Sequence, residues 1–541
     1  MKFKLLTYTI TGILTLGLFG CSQKTETQIE RSPNQVLTVG DYYEPSSLDP
    51  GTWGTMEESL IGLNLFEGLL RVGKDGNPEP GMAKKWDISN DQLTYTFHLR
   101  IDAKWSDGKP VTANDFEFSW LRVLNPETGS GTAYMMEPIK NAAAYNIGEA
   151  KKEDVGIKAL DTHTLQVKLE QPTPYFLGLV SSFTFSPVRE DVIKKVPKTW
   201  STKAQLLVSN GPFHVTNWEH KYKIEAEVNP HYWDQKNIKL SQLILRFDGT
   251  TNGQWADFQD GNIDIGTSIP YTVNLEEEIN KGDIISHPIQ GTQFFQFNTT
   301  RKPFDDLRVR KALALVIDKE KIVENRGFGE NAAGGIIPIG MPDYDSNTDF
   351  RKIGGEVQPV KRTEAHIEEA KRLLAEAGYP NGESFPVVNY LGSNSLVPIL
   401  EDGFSKLGIK INAPELPDSV YQEKLANNDF DLNDSNWFAD FSDPINFLAP
   451  FTAYDFISIN QEFYEHIDKS YILTDPKKRF EALHEAEKSL LESYAVVPYV
   501  YNVDIYSIQK HVKGFVRTAR TEPLYRLAYI DEELKKKESD K

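Results

Sequence analysis

The sequence predicts a mixed α/β protein of roughly two or three domains, through which the chain passes more than once. Three observations predict it. Stretches of period-two hydrophobic alternation are interleaved with stretches of helical period along the whole chain. The 541 residues exceed what a single hydrophobic core organises. No obvious linker, internal repeat or long low-complexity tract separates one part from the next, which argues against domains strung in succession.

The first element is a targeting signal. Lys2 and Lys4 precede an uncharged run from Leu5 to Phe19, and Gly20 stands before Cys21. A basic start, a short apolar centre and a small residue before the cut form a secretory signal, too short for a membrane helix. Residues 1–20 are therefore expected to be removed. Cys21 is the only cysteine, so an exported chain could form no internal disulfide with it. The run Leu18-Phe19-Gly20-Cys21 resembles the lipobox of bacterial lipoproteins, in which the new N-terminal cysteine carries a diacylglyceryl group. An ordinary signal peptide with an incidental cysteine is the alternative. The polar stretch Ser22 to Asn34 has no apolar periodicity, and 21–35 is expected to be a flexible tether. The expected location is the outer face of the cell membrane, held by acyl chains alone.

The next clear element is a strand. Leu93, Tyr95, Phe97 and Leu99 alternate with polar residues, which buries one face. A turn at Asp107-Gly108 follows, and Thr112 with Asp115 three residues on opens a helix. Leu165, Val167 and Leu169 mark another strand. A helix starts near Thr363, presents Ile367, Ala370, Leu373 and Leu374 on one face, and stops at Gly378 before Pro380. Asp475-Pro476 starts a further helix through Phe480, Leu483 and Leu490. Ala495 to Tyr501 reads as a buried strand.

Composition narrows the function classes. A net charge of −19 argues against nucleic acid and against electrostatic docking on anionic lipid. No second apolar run approaches the ~18 residues of a membrane helix. The chain carries no Gly-x-Ser-x-Gly elbow, no Walker loop and no His-Glu-x-x-His pair, so no enzyme is expected. His484-Glu485 lacks the second histidine. The ten histidines form no i,i+4 pair, and neither metal nor cofactor is expected.

Several segments together resemble the oligopeptide-binding family of extracellular solute-binding proteins, which serve ABC importers. The longest is Ala83 to Pro126, with its Trp105-x-Asp-Gly-x-Pro-Val-Thr-Ala-x-Asp-Phe116 turn between a strand and a helix. Ser47-Leu48-Asp49-Pro50, Asn64-x-Phe-Glu-Gly-Leu69, Ser209-Asn210-Gly211-Pro212-Phe213 and Asn229-Pro230-x-Tyr-Trp-Asp234 are further matches. Arg308-x-Arg-Lys-Ala-Leu313 with Ile317-Asp318, and Trp437-Phe-Ala-Asp-Phe-Ser-Asp-Pro444, complete them in family order.

The resemblance implies two hinged lobes of the periplasmic-binding-protein kind plus a third domain. Mapped by motif, lobe I takes 36–66, 200–290 and 507–530, the extra domain 67–199, and lobe II 291–506. It also implies a peptide ligand, an ABC permease and ATPase complex as partner, and a monomer. In the family, the aspartate matching Asp440 binds the peptide's amino terminus. Asp440 has no evident local role, whereas Asp443 before Pro444 reads as a helix N-cap. Asn436, Trp437 and Phe438 match the strand that pairs with the peptide backbone. Trp53, Thr55 and Met56 match the opposing stretch, and Phe294 falls where relatives often carry tyrosine. For Trp437 and Phe294, plain core packing is the alternative.

One departure stands out. Relatives place basic residues near this strand to hold the peptide's carboxylate, whereas the nearest position here is Asp434, and Leu425 to Asn436 contains no Arg, Lys or His. Arg326 lies near another such position, and a solvated surface arginine is the alternative there. Peptide length and C-terminal chemistry therefore stay open. So do a signalling receptor for a pheromone or cell-wall peptide, and a non-peptide cargo such as a metal complex, haem or an oligosaccharide.

Overall fold

The structure is a computed structural model that describes residues 31–40, 43–345 and 347–539. Its frame is two long antiparallel strands, Ile284–Phe297 and Val496–Ile508, whose residues are mostly buried. The expected strand over 495–501 is the first half of the second one. It continues to Ile508 because Val503 to Ser507 pair with Ile284 to Pro288. Their ladder shifts register between Pro288 and Thr292, which bends the strands locally.

Each half of this ladder carries its own neighbours. Past Ile508 lie Ile265–Gly266, then Val36–Gly40, Gln242–Arg246, Lys223–Val228 and Phe213–Glu219. Past Phe297 lie Leu432–Phe438, Val388–Leu391 and Ile411–Asn412. The chain thus forms two lobes joined by strands that belong to both, an α/β arrangement with the connections the missing linkers predicted. The second lobe has a core of its own, centred on Phe295, Phe297, Leu313, Leu374, Leu400 and Phe404.

A third layer is a four-stranded antiparallel sheet in the order Ala83–Ile88, Thr94–Leu99, Thr164–Lys168, Ile157–Asp161. Tyr95, Phe97 and Leu99 are buried and their neighbours are not, as the alternation requires. Tyr95 packs on Phe176, with ring centroids 4.9 Å apart. The helix Ala113–Leu124 starts where expected, and the N–H and hydroxyl of Thr112 both donate to the Asp115 carboxylate, at 2.8 and 2.9 Å.

The two later helices also fall into place. Glu364–Glu376 is capped by Thr363, and Gly378 follows it with φ of +100°, a conformation that suits glycine. Pro476–Glu492 is capped by Asp475. Residues 31–35, expected to be the end of a loose tether, are fastened instead. Arg31 donates to the carbonyls of Ile238 (3.0 Å) and Gln235 (2.5 Å), and Gln35 donates to Ile530 and Glu532. Sequence polarity hid this, because these side chains bind main-chain carbonyls and a carboxylate rather than an apolar surface. Cys21 and the signal segment lie outside the described residues.

Candidate functional site

The site begins with an incomplete strand edge. Leu432–Phe438 pairs along its whole length with Gly291–Phe297, but its other edge meets Val388–Leu391 only at Leu432 and Asn433. From Asp434 to Phe438 that second edge has no strand neighbour among the described residues. Such an edge offers main-chain donors and acceptors at strand spacing. Gly291 faces Phe438 across the ladder, and a Cβ there would lie 2.6 Å from the Phe438 ring. Glycine at this point lets the aromatic lie against the backbone.

A cavity of about 380 Å³ lies along this edge. Asn436, Trp437 and Phe438 form one wall, and Trp53, Met56 and Leu60 contribute to the other. Trp53 is fixed by its indole N–H, which donates to Thr184 at 2.9 Å. Met56 is 41% exposed at the start of the helix Met56–Leu65. Thr55 is the N-cap of that helix, its hydroxyl accepting from the Glu58 N–H at 3.4 Å. It does not line the cavity, since capping takes up the groups expected to reach a ligand.

Asp440 stands at the end of the cavity, just beyond the strand. Its Oδ2 accepts from the Tyr134 hydroxyl (3.0 Å) and the Asn446 amide (3.3 Å). Asn446 holds the whole corner, because its Oδ1 also accepts from the Asp440 N–H (3.1 Å) and the Trp437 indole (3.0 Å). Arg520 donates to the Asp440 carbonyl at 2.9 Å, while its charge is matched by Glu522 at 2.7 Å. Among the described residues the Asp440 carboxylate has no ion-pair partner and its Oδ1 no hydrogen bond. Burial pushes its pKa above the usual carboxylate range, against the Asn446 and Tyr134 hydrogen bonds and the nearby Arg520. Burial, and then Asp440 itself, push the Tyr134 hydroxyl up, so it stays a donor. The corner thus holds a carboxylate whose ionised form burial disfavours and no ion pair among the described residues offsets.

Asp443 has a different role from its neighbour. It accepts from the Ile445 N–H at 3.0 Å, as an N-cap would, although the short helix Ile445–Leu448 has Pro444 as its N-cap residue. Both its oxygens also bind the Arg479 guanidinium, at 2.8 and 2.9 Å, in a buried fork-to-fork pair.

Two expected contacts lie elsewhere. Phe294 is 2% exposed and packs on Phe451, ring centroids 5.7 Å apart, so it is core and lines neither this cavity nor a second, of about 680 Å³, that adjoins it at Met135, Trp437 and Asp440. Both faces of its strand are covered, which removes the inward–outward alternation that would have told core from cleft. Arg326 is paired with Glu330 at 2.5 and 2.9 Å and donates to Gln293 at 3.2 Å. Its charge is matched internally, and it lines neither cavity.

Sequence reasoning missed Tyr134, Asn446, Arg520 and Glu522. Asn446 could have been suspected from its place one turn beyond Asp443. Tyr134 lies 306 residues from Asp440, and nothing local marks it.

The profile of the bacterial extracellular solute-binding proteins, family 5 Middle, matches residues 77–457. The chain is 32% identical to the oligopeptide-binding protein OppA of Bacillus subtilis (strain 168), over 95% of this chain and 96% of that protein. The structure of the Escherichia coli murein tripeptide binding protein MppA superimposes with a TM-score of 0.77 at 28% identity, covering 92% of this chain and 99% of that one. That of the pheromone receptor PrgZ, described with its mode of peptide binding, gives 0.76 at 28% identity, covering 92% and 99%.

Proposed function

We propose that this chain, which belongs to the bacterial extracellular solute-binding proteins of family 5, captures peptides between its lobes and hands them to an ABC permease for import. One observation carries the reading. Among the described residues, Asp440 is a carboxylate without a counter-ion at the end of a strand edge without a neighbour. A peptide supplies what each lacks: an α-ammonium for the acid, and a backbone for the edge. Main-chain pairing reads no side chains, so one site can serve many sequences.

Closure of the lobes about the two shared strands is the expected motion, drying the cleft and strengthening the ion pair. Asn436, Trp437, Phe438, Trp53 and Met56 would surround the first residues of the peptide. Cys21 would carry the lipid that keeps the protein at the outer face of the membrane, once residues 1–20 are removed. The likeness to PrgZ favours a second reading, in which the captured peptide is a signal rather than a nutrient. A permease co-purifying with the protein from membranes distinguishes import from sensing alone.

The test is thermal stabilisation of the full-length chain in detergent by a pool of short peptides, with an N-acetylated pool alongside. A ligand at ~100 times its dissociation constant stabilises by about 2.7 kcal/mol, a visible shift. Free peptides should raise the melting temperature and acetylated ones should not. Equal shifts with both pools would remove Asp440 from the peptide's amino terminus, and no shift with either would remove peptides as the cargo.

A further inference from the structure

A second cavity, of about 680 Å³, meets the first at Met135, Trp437 and Asp440. It has none of the strand residues before Trp437. Its walls come from segments 134–143, 170–179, 437–453 and Tyr471. It therefore lies past the end of the strand edge. A peptide held by its ammonium at Asp440, with its backbone along that edge, has one side chain within reach of this space, that of its first residue.

The chemistry of the walls is one-sided. Among the described residues, the charged side chains lining the cavity are Glu137, Glu170 and Asp440, and no lysine, arginine or histidine lines it. Aromatic rings make up much of the remainder. Tyr175 and Phe441, one from each side of the cleft, stack with centroids 4.6 Å apart and 9° between planes, and Tyr134, Trp437 and Tyr471 add to them. Two cations lie behind the wall, and both are matched within the protein: Arg520, which donates to the Asp440 carbonyl, pairs with Glu522, and Arg479, 5.8 Å from the Tyr175 ring, pairs with both oxygens of Asp443. One oxygen of Glu170 accepts from the Asn141 N–H at 2.6 Å. Glu137 has no ion-pair partner among the described residues. Aromatic faces and carboxylates together are what attract an ammonium or guanidinium group, and an anionic side chain would meet three like charges.

We infer that this cavity is a specificity pocket for a cationic side chain on the first residue of the bound peptide, with Glu137 and Glu170 as its acidic partners. The inference rests on the proposed peptide capture. Glu137 and Glu170 are themselves exposed, so solvent screens them and the discrimination is moderate.

The experiment compares isomeric pentapeptides by calorimetry on the full-length chain: one lysine among four alanines, placed first or fourth. Equal composition and net charge cancel the general pull of an acidic protein on a cation. The lysine-first isomer should bind about five- to tenfold tighter, and a glutamate-first peptide should bind weakest. Glu137→Gln with Glu170→Gln should shrink the gap between the isomers to about twofold or less. Equal affinity of the isomers in the unmodified protein overturns the inference and leaves peptide capture standing. A full gap in the double variant overturns the assignment to these two acids. Binding of no peptide at all overturns the functional reading, and the inference with it.

Discussion

Asp434 and Asp440 lie six residues apart, one near the start of the exposed edge and one past its end, and burial raises the pKa of both. They differ in what their oxygens do. Asp434 Oδ1 accepts from the Tyr499 hydroxyl at 2.7 Å and Oδ2 from the Ser393 N–H at 3.3 Å, with the Arg326 charge nearby. It lines neither cavity. Asp440, which lines both cavities, places both its side-chain hydrogen bonds on one oxygen, and the other has none among the described residues. A perturbed pKa therefore does not by itself mark a site. What separates the two is unsatisfied hydrogen-bonding capacity on a residue that lines an open space. Asp443 is a third case, a buried acid whose charge is fully matched by Arg479.

Breaking that third acid should have the largest effect, and on stability. Asp443→Ala leaves the Arg479 guanidinium buried without a counter-charge, holding only the Ser470 carbonyl, a loss of about 3–5 kcal/mol, seen as a lower midpoint in chemical denaturation. Asp440→Ala should do the reverse, sparing the fold and weakening peptide binding. Truncating one partner of a buried charge pair costs about 2–5 kcal/mol, or roughly thirtyfold and more, measurable by calorimetry with a free peptide. Asp434→Asn should change that affinity less than about threefold, because its hydrogen bonds stay within the protein. An equal loss from Asp434→Asn and Asp440→Ala would break the comparison.

How much of this was legible follows from the range of each signal. The strand through Tyr95 and Phe97, the cap at Thr363 and the Asp475-Pro476 helix start are written in adjacent residues, and the chain folds accordingly. That Leu432–Phe438 is paired on one side and half bare on the other depends on where Val388–Leu391 ends, which no local pattern encodes. Asp440 was singled out through family resemblance alone, and its role in binding stays a proposal. Its partners Tyr134 and Arg520 come from loops 306 and 80 residues away. Phe294 misled for a related reason, since an aromatic in a strand covered on both faces looks the same whether its neighbour is ligand or Phe451.

The smallest expected effects concern protonation, and they sharpen the contrast further. Because burial raises both acids, the folded state favours their protonated forms. Each contributes stability that is complete below its unfolded value and fades as pH rises through the raised one. At neutral pH, Asp440→Asn should therefore raise the melting temperature of the unliganded protein by a small amount, and Asp434→Asn should do so only as far as its hydrogen bonds to Tyr499 and Ser393 survive. Of these two acids, only Asp440 should carry its titration into the affinity. The affinity should fall as acid protonates the carboxylate that binds the ammonium, a limb shifted to higher pH by burial and abolished by Asp440→Asn. Tyr134→Phe removes a hydrogen bond that favours the ionised acid, so it should weaken binding by about 0.5–1.5 kcal/mol. It should also move the acid limb to higher pH, because the carboxylate loses a donor and keeps its burial. If binding to Tyr134→Phe weakens while the limb stays fixed, then Tyr134 touches the peptide itself rather than tuning Asp440.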